Sequence, residues 1–117
     1  MGKQVLHTGQ SDIKLVVRVD YEDGGQISLM ELDNAQSVVI EYAYKDYDGE
    51  NIVQDSWEVD GWDLDSDGVP NIYYKFKAGD VIPEDVNLFA GRAKIIDVDG
   101  FISFGREFSI QVLDSNL

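Results

Sequence analysis

Five Asp-Gly pairs, at positions 23–24, 48–49, 60–61, 67–68 and 99–100, fall between short runs in which apolar and polar residues alternate. Asp-Gly supplies the left-handed backbone that a tight hairpin needs, and alternation of period two sends one row of side chains inward and the next outward. No stretch sustains the 3.6-residue period of a helix, so the pattern commits the chain to antiparallel sheet.

The inward rows can be read directly. Ile13, Leu15, Val17, Val19 and Tyr21 alternate with Lys14, Arg18 and Asp20; Val38, Ile40, Tyr42 and Tyr44 form a second row. Val53, Trp57 and Val59 follow, then Ile72, Tyr74 and Phe76, then Phe89, Gly91, Ala93 and Ile95, and last Phe104, Phe108, Ile110 and Val112. Gly91 and Ala93 are small, which calls for a bulky side chain opposite them, and Trp57 is the candidate. Residues 26–36, with Leu29, Met30 and Leu32, are read as a short strand or a helical turn at the edge of the core. The expected fold is all-β, an antiparallel immunoglobulin-like β-sandwich of about seven strands. With 117 residues, one domain is expected. It runs from 13 to 114, with a polar, flexible N-terminal arm over 1–12 and a C-terminal tail at 115–117.

Charge removes several classes of function. Against 23 Asp and Glu stand 9 Lys and Arg, for a formal charge of −14. The bases are scattered among acids, so no basic patch is available for nucleic acid or anionic lipid. The absence of cysteine excludes disulfides, thiolate metal sites and cysteine nucleophiles. No run has the length of a membrane span, and MGKQVLHTGQ lacks the apolar segment of a secretory signal, so synthesis in the cytoplasm is expected.

The densest chemistry lies in WEVDGWDLDSDGVPNIYYKF, residues 57–76. Asp63, Asp65 and Asp67, followed by Gly68 and Asn71, have the spacing with which calcium loops converge alternate oxygen ligands on one ion. LDSDGVPN also resembles the acidic loops of thrombospondin type 3 and dockerin-like repeats. Tyr74 stands where an EF-hand places its bidentate Glu, and no helix pattern flanks the loop. Two readings remain, a calcium site and an acidic hairpin turn, and the other Asp-Gly turns favour the second. His7 is the sole histidine and sits in the arm, away from any serine or aspartate that would build a triad. Asp55 and Glu58, beside Trp57 and Trp62, form a carboxylate pair of the kind used on glycosides, but a small sandwich offers little cleft. Tyr47 and Trp62, both placed in loops, are the candidate contact residues.

The order of these features resembles the small immunoglobulin-like domains of tailed-phage tails and baseplates, of the baseplate upper protein N-terminal type. The resemblance rests on IKLVVRV, LDNAQ leading into VVIEYAY, a Trp-bearing strand, SDGVPNIYYKF, the AGD corner, LFAGRAKIIDVDG and a closing FSIQVLD. It covers Ile13 to Asp114 and departs at Ile82-Pro83-Glu84-Asp85-Val86, where the family has a small-residue corner. It implies a non-catalytic virion or prophage structural protein, made in the bacterial cytoplasm and needing no cofactor. Such a protein docks on other tail or baseplate proteins, self-associates, and has no nucleic-acid or membrane partner. The alternative is a calcium-dependent or carbohydrate-binding β-sandwich module.

Overall fold

The computed structural model describes residues 4–21 and 24–114. The expected tail at 115–117 and the Glu22-Asp23 half of the first turn lie outside the described residues. In chain order the elements are β1 (Leu6–His7), β2 (Lys14–Arg18), α1 (Leu29–Asp33), β3 (Ser37–Lys45) and β4 (Asn51–Glu58), then β5 (Gly61–Leu64), β6 (Pro70–Lys75), β7 (Leu88–Ile96), β8 (Ile102–Phe104) and β9 (Phe108–Leu113).

The strands form an all-β sandwich of two sheets. The larger has the order β1-β9-β7-β3-β4, with β8 also paired to β7, and the smaller has the order β2-β6-β5. Every pairing is antiparallel except that of β1 with β9, which is parallel. Among the described residues nine strands replace the expected seven or so, because one strand changes sheets, one is broken and one lies in the presumed arm.

The strand that changes sheets joins the two layers. The Val59 N–H still donates to Val38 of β3 at 3.1 Å, and the next amide, Asp60, donates to Tyr73 of β6 at 2.9 Å. Gly61 is therefore not at a turn. It sits where the Tyr73 ring lies across the sheet, and a Cβ there would stand 2.8 Å from Tyr73 Oη. On the opposite side the last strand is broken at Gly105, which bridges to Tyr21; a Cβ on Gly105 would meet Val19 Cγ1 at 3.3 Å. Both seams bring the sheets close enough for one core to serve both.

Aromatic rings fill that core. Trp57 of β4 stacks on Tyr42 of β3, centroids 3.7 Å apart, and on Tyr74 of the small sheet at 4.8 Å, with interplanar angles of 21° and 9°. Phe89 is fully buried beside Tyr42 and Tyr44. The bulky group across from Gly91 is Phe108 and not Trp57: a Cβ on Gly91 would stand 2.9 Å from Phe108 Cζ. Trp57 lies one strand further away, opposite Ile40.

Two segments differ from the sequence expectation. Residues 29–33 are helical, with Ser28 Oγ accepting from the Glu31 amide and Glu31 reaching back to Ser28, a complete capping box. Only Leu32 of this turn enters the core. The presumed arm is built into the fold from residue 4 onward among the described residues. Leu6 is buried in the core opposite Val112, and the Gly9 and Ile82 backbones are tied together through Gly9 N–H to Ile82 at 2.8 Å.

Candidate functional site

The acidic loop is a hairpin turn, and it is one of three copies. In Asp65-Ser66-Asp67-Gly68-Val69, Asp65 Oδ1 accepts the amides of Asp67 (2.9 Å) and Val69 (3.0 Å). The Gly68 amide donates to the Asp65 carbonyl, with Gly68 at φ 76°. Asp46-Tyr47-Asp48-Gly49-Glu50 repeats each contact: Asp46 Oδ1 accepts from Asp48 and Glu50, and Gly49 has φ 82°. Asp97-Val98-Asp99-Gly100-Phe101 does so again, with Gly100 at φ 88°. The first aspartate of each Asp-x-Asp-Gly copies a turn carbonyl with its side chain and, with its own carbonyl, pairs the three amides that follow the second residue of the turn.

This arrangement accounts for the carboxylate that a calcium site needs most. Asp65 Oδ2 accepts from Asn71 Nδ2 at 3.2 Å, so both Asp65 oxygens are engaged. The Val69 amide, with Asn71 and Asp67 behind it, holds the Asp65 carboxyl below the ordinary aspartate range. The fold brings Asp63 opposite Asn71, but as a residue of β5, with its exposed carboxylate 4.0 Å from Lys14 Nζ. Asp67 stays on the exposed tip. Among the described residues, no group of three or more His, Cys, Asp or Glu is placed to share a metal.

The other sequence candidates separate. Asp55 and Glu58 are three residues apart on β4, so strand alternation puts them on opposite faces of the sheet. Trp62 belongs to β5 and not to a loop, because the Asp60-Gly61 pair is the sheet crossing and not a turn. Its half-buried ring packs on the core, and Nε1 donates to Asp33 Oδ1 at 3.1 Å, latching α1 over the end of the sandwich. Tyr47 is where the sequence puts it, at the tip of the β3–β4 hairpin and 66% exposed.

Two surface features have the dimensions of a contact site. A depression of about 440 Å³ lies on the outer face of the large sheet, floored by Ala43, Ala90 and Gly91. Glu41, Gln54, Ser56 and Glu107 line it, and Arg92 is held over it by Glu41 at 2.9 Å. The second feature is apolar. On the β7–β8 hairpin Val98 and Phe101 are 71% and 73% exposed, Ile102 is also exposed, and Met30 of α1 is 72% exposed. Met30 and Val98 line a common hollow of about 260 Å³ with Tyr21, Asn34 and Ser103. Sequence alternation missed this patch because Val98 and Phe101 lie in a turn, where apolar residues serve no core. Apolar residues inside an Asp-x-Asp-Gly turn were the signal that could have found it.

No protein-family model and no curated protein matches the chain. Among solved structures, the crystal structure of CopC from Methylosinus trichosporium OB3b aligns with 100% of this chain and 89% of its own, at a TM-score of 0.40 and 13% identity. A likeness at that level carries no functional argument.

Proposed function

We propose that this chain is a non-catalytic structural module of a phage or prophage tail or baseplate, acting through protein–protein contacts. The observation that carries the reading is the apolar β7–β8 hairpin: Val98, Phe101 and Ile102 stand in water on a protein with a formal charge of −14. Exposed large apolar side chains grouped on one hairpin mark a protein contact. The order of strands and turns, from IKLVVRV to FSIQVLD, supports the tail or baseplate context. In that role the chain is made in the bacterial cytoplasm, enters the virion, and docks on other tail or baseplate proteins and on copies of itself. It uses no cofactor, nucleic acid or membrane.

Co-purification with the products of adjacent genes, followed by sedimentation of wild type and of a Val98→Asp, Phe101→Ser variant, tests this. Complexes that form with wild type and dissociate in the variant are expected. A chain that stays monomeric at high concentration and binds none of its neighbours' products overturns the reading.

A calcium-dependent or carbohydrate-binding module is the second reading, favoured by the polar lining of the 440 Å³ depression. It ranks lower because sugar sites stack rings on exposed aromatics, and the one aromatic lining that depression, Tyr42, is buried in the Trp57 stack.

A further inference from the structure

Among the described residues, one flank of the sandwich is a continuous edge with no further strand paired to it. β4 is the outermost strand of the large sheet and β5 the outermost strand of the small one. The chain passes from one to the other at Val59 and Asp60. The ladder sets which groups face out. Val59 donates to Val38, so the alternation of an antiparallel pair turns Trp57, Asp55 and Val53 toward β3. The N–H and C=O groups of Gln54, Ser56 and Glu58 therefore point away from the sheet. Among the described residues, six of the eight β4 positions are exposed, and the opposite edge of this sheet, β1, has only two residues.

Charge selects what this edge will accept. From Asp46 to Tyr74 the sequence holds nine Asp and Glu and no Lys or Arg. Within β4, Asp55 Oδ1 already accepts the Ser56 amide at 2.8 Å, so a carboxylate occupies the middle of the free edge. A second copy of the chain would set this acidic edge against itself. A segment bearing Lys or Arg would neutralise Asp55 and Glu58 while pairing with the backbone. Beside β4, the depression on the outer face is lined by Asp55 and Glu107 and also by Lys45 and by Arg92, the latter paired with Glu41.

We propose that the β4 edge takes up an extended, Lys- or Arg-rich segment of a partner protein by strand addition. Backbone pairing to the N–H and C=O groups of Gln54 and Glu58 and to the Ser56 carbonyl supplies register, and the acidic flank supplies selectivity. The inference stands on the sheet edge and its charge, independently of the tail assignment.

The probe is a synthetic peptide of about ten residues alternating Lys with Val, long enough to match the strand. A second peptide has the same sequence with its alternate amides N-methylated, keeping the charge and removing the donors. Backbone amide exchange followed by NMR should show protection rising about tenfold at Gln54 and Glu58 with the first peptide, and binding should weaken about tenfold with the second. Gln54→Pro, which removes an outward N–H and leaves the β3 ladder intact, should weaken the first peptide to the same extent. Equal binding of the two peptides, or binding without protection at those two amides, would mean simple charge attraction and would overturn the proposal. The N-methyl comparison decides the matter even if Gln54→Pro fails to fold.

Discussion

Replacing Trp57 by Ala should bring this protein close to unfolding, because one ring ties the two sheets together. Trp57 is 7% exposed and lies between Tyr42 at 3.7 Å and Tyr74 at 4.8 Å, with Phe76 at 5.0 Å and Phe89 at 5.9 Å. Truncating a buried tryptophan costs about 3–5 kcal/mol in lost transfer energy and cavity. The two close stacks add roughly 0.5–1.5 kcal/mol each. The expected loss is thus about 4–8 kcal/mol, against a total stability of about 5–15 kcal/mol for a domain of this kind.

Urea unfolding followed by far-UV circular dichroism measures it. With a slope of about 2 kcal/mol per molar urea, the midpoint should fall by about 2–4 M. Trp62 remains as a second, fluorescent reporter. The sharper test is a double-mutant cycle between Trp57→Leu and Tyr74→Leu, since these residues belong to different sheets. A coupling of about 0.5–1.5 kcal/mol is expected. A midpoint shift below about 0.5 M for Trp57→Ala, or strict additivity in the cycle, would refute the claim that this stack joins the layers.

Other outcomes follow from the same contacts. Asp46→Asn, Asp65→Asn and Asp97→Asn should each lower the melting temperature by similar small amounts, and millimolar calcium should leave the wild-type value unchanged; saturable calcium stabilisation lost only in Asp65→Asn would restore the metal reading. Gly91→Ala drives a Cβ to 2.9 Å from Phe108 Cζ and 3.2 Å from the Glu41 carbonyl. Overpacking of that kind costs about 1–3 kcal/mol, and Phe108→Leu in the same chain should recover part of it, as thermal melts would show. Burial pushes the Tyr42 hydroxyl up to about 12, and raises Tyr44 and Tyr74 as well, Tyr74 with help from its hydrogen bond to Asp80. A raised folded-state value means stability is complete below the unfolded tyrosine pKa near 10 and is lost as pH climbs past it, by up to about 1.4 kcal/mol per pH unit for each ring. A urea midpoint that stays flat from about pH 9 to 11 would contradict this. Asp12, Asp60 and Asp65 are held low, Asp12 and Asp60 chiefly by the Lys75 and Lys77 ammoniums and Asp65 by the Val69 amide. Their contribution is present above the unfolded aspartate pKa and disappears as pH falls through the depressed values, so Lys77→Ala should flatten the acid limb of the stability profile.

How far the sequence could be read depended on how local each determinant is. β3 was visible whole, since Val38, Ile40, Tyr42 and Tyr44 are buried and their neighbours are not. The helical turn escaped periodicity because it is five residues long with one buried side chain, yet Ser28-x-x-Glu31 is a capping box that can be read in the sequence. β1 could not be read, because its two residues are fixed by Val112 and Leu113 at the other end of the chain. The five Asp-Gly pairs look alike in sequence and are not alike in structure. Those at 48–49, 67–68 and 99–100 close identical hairpins, while Gly61 is needed only because the Tyr73 ring covers it. The Asp-Gly pair alone does not separate these cases; an aspartate two residues before the pair does. Asp46, Asp65 and Asp97 are present before the three hairpins, and Glu58 stands in that place before 60–61.

That distinction bears on the surplus of carboxylate around the acidic loop. Each hairpin uses one aspartate carboxylate as a structural acceptor, to which Asp48, Asp67 and Asp99 contribute their amides while their side chains stay exposed. Asp55 and Glu58 on β4 are likewise not needed to form that strand. An unpaired edge of eight residues would recruit copies of itself, and charge on or beside such an edge is how sheets prevent it. The same charge does not block a cationic segment; it lowers the cost of bringing one to the edge. The acids that resemble a calcium loop in sequence are thus better understood through the edge beside them. On the proposed reading they disfavour a second copy at this edge and leave the Gln54 and Glu58 backbone and the Ser56 carbonyl open to a partner of opposite sign.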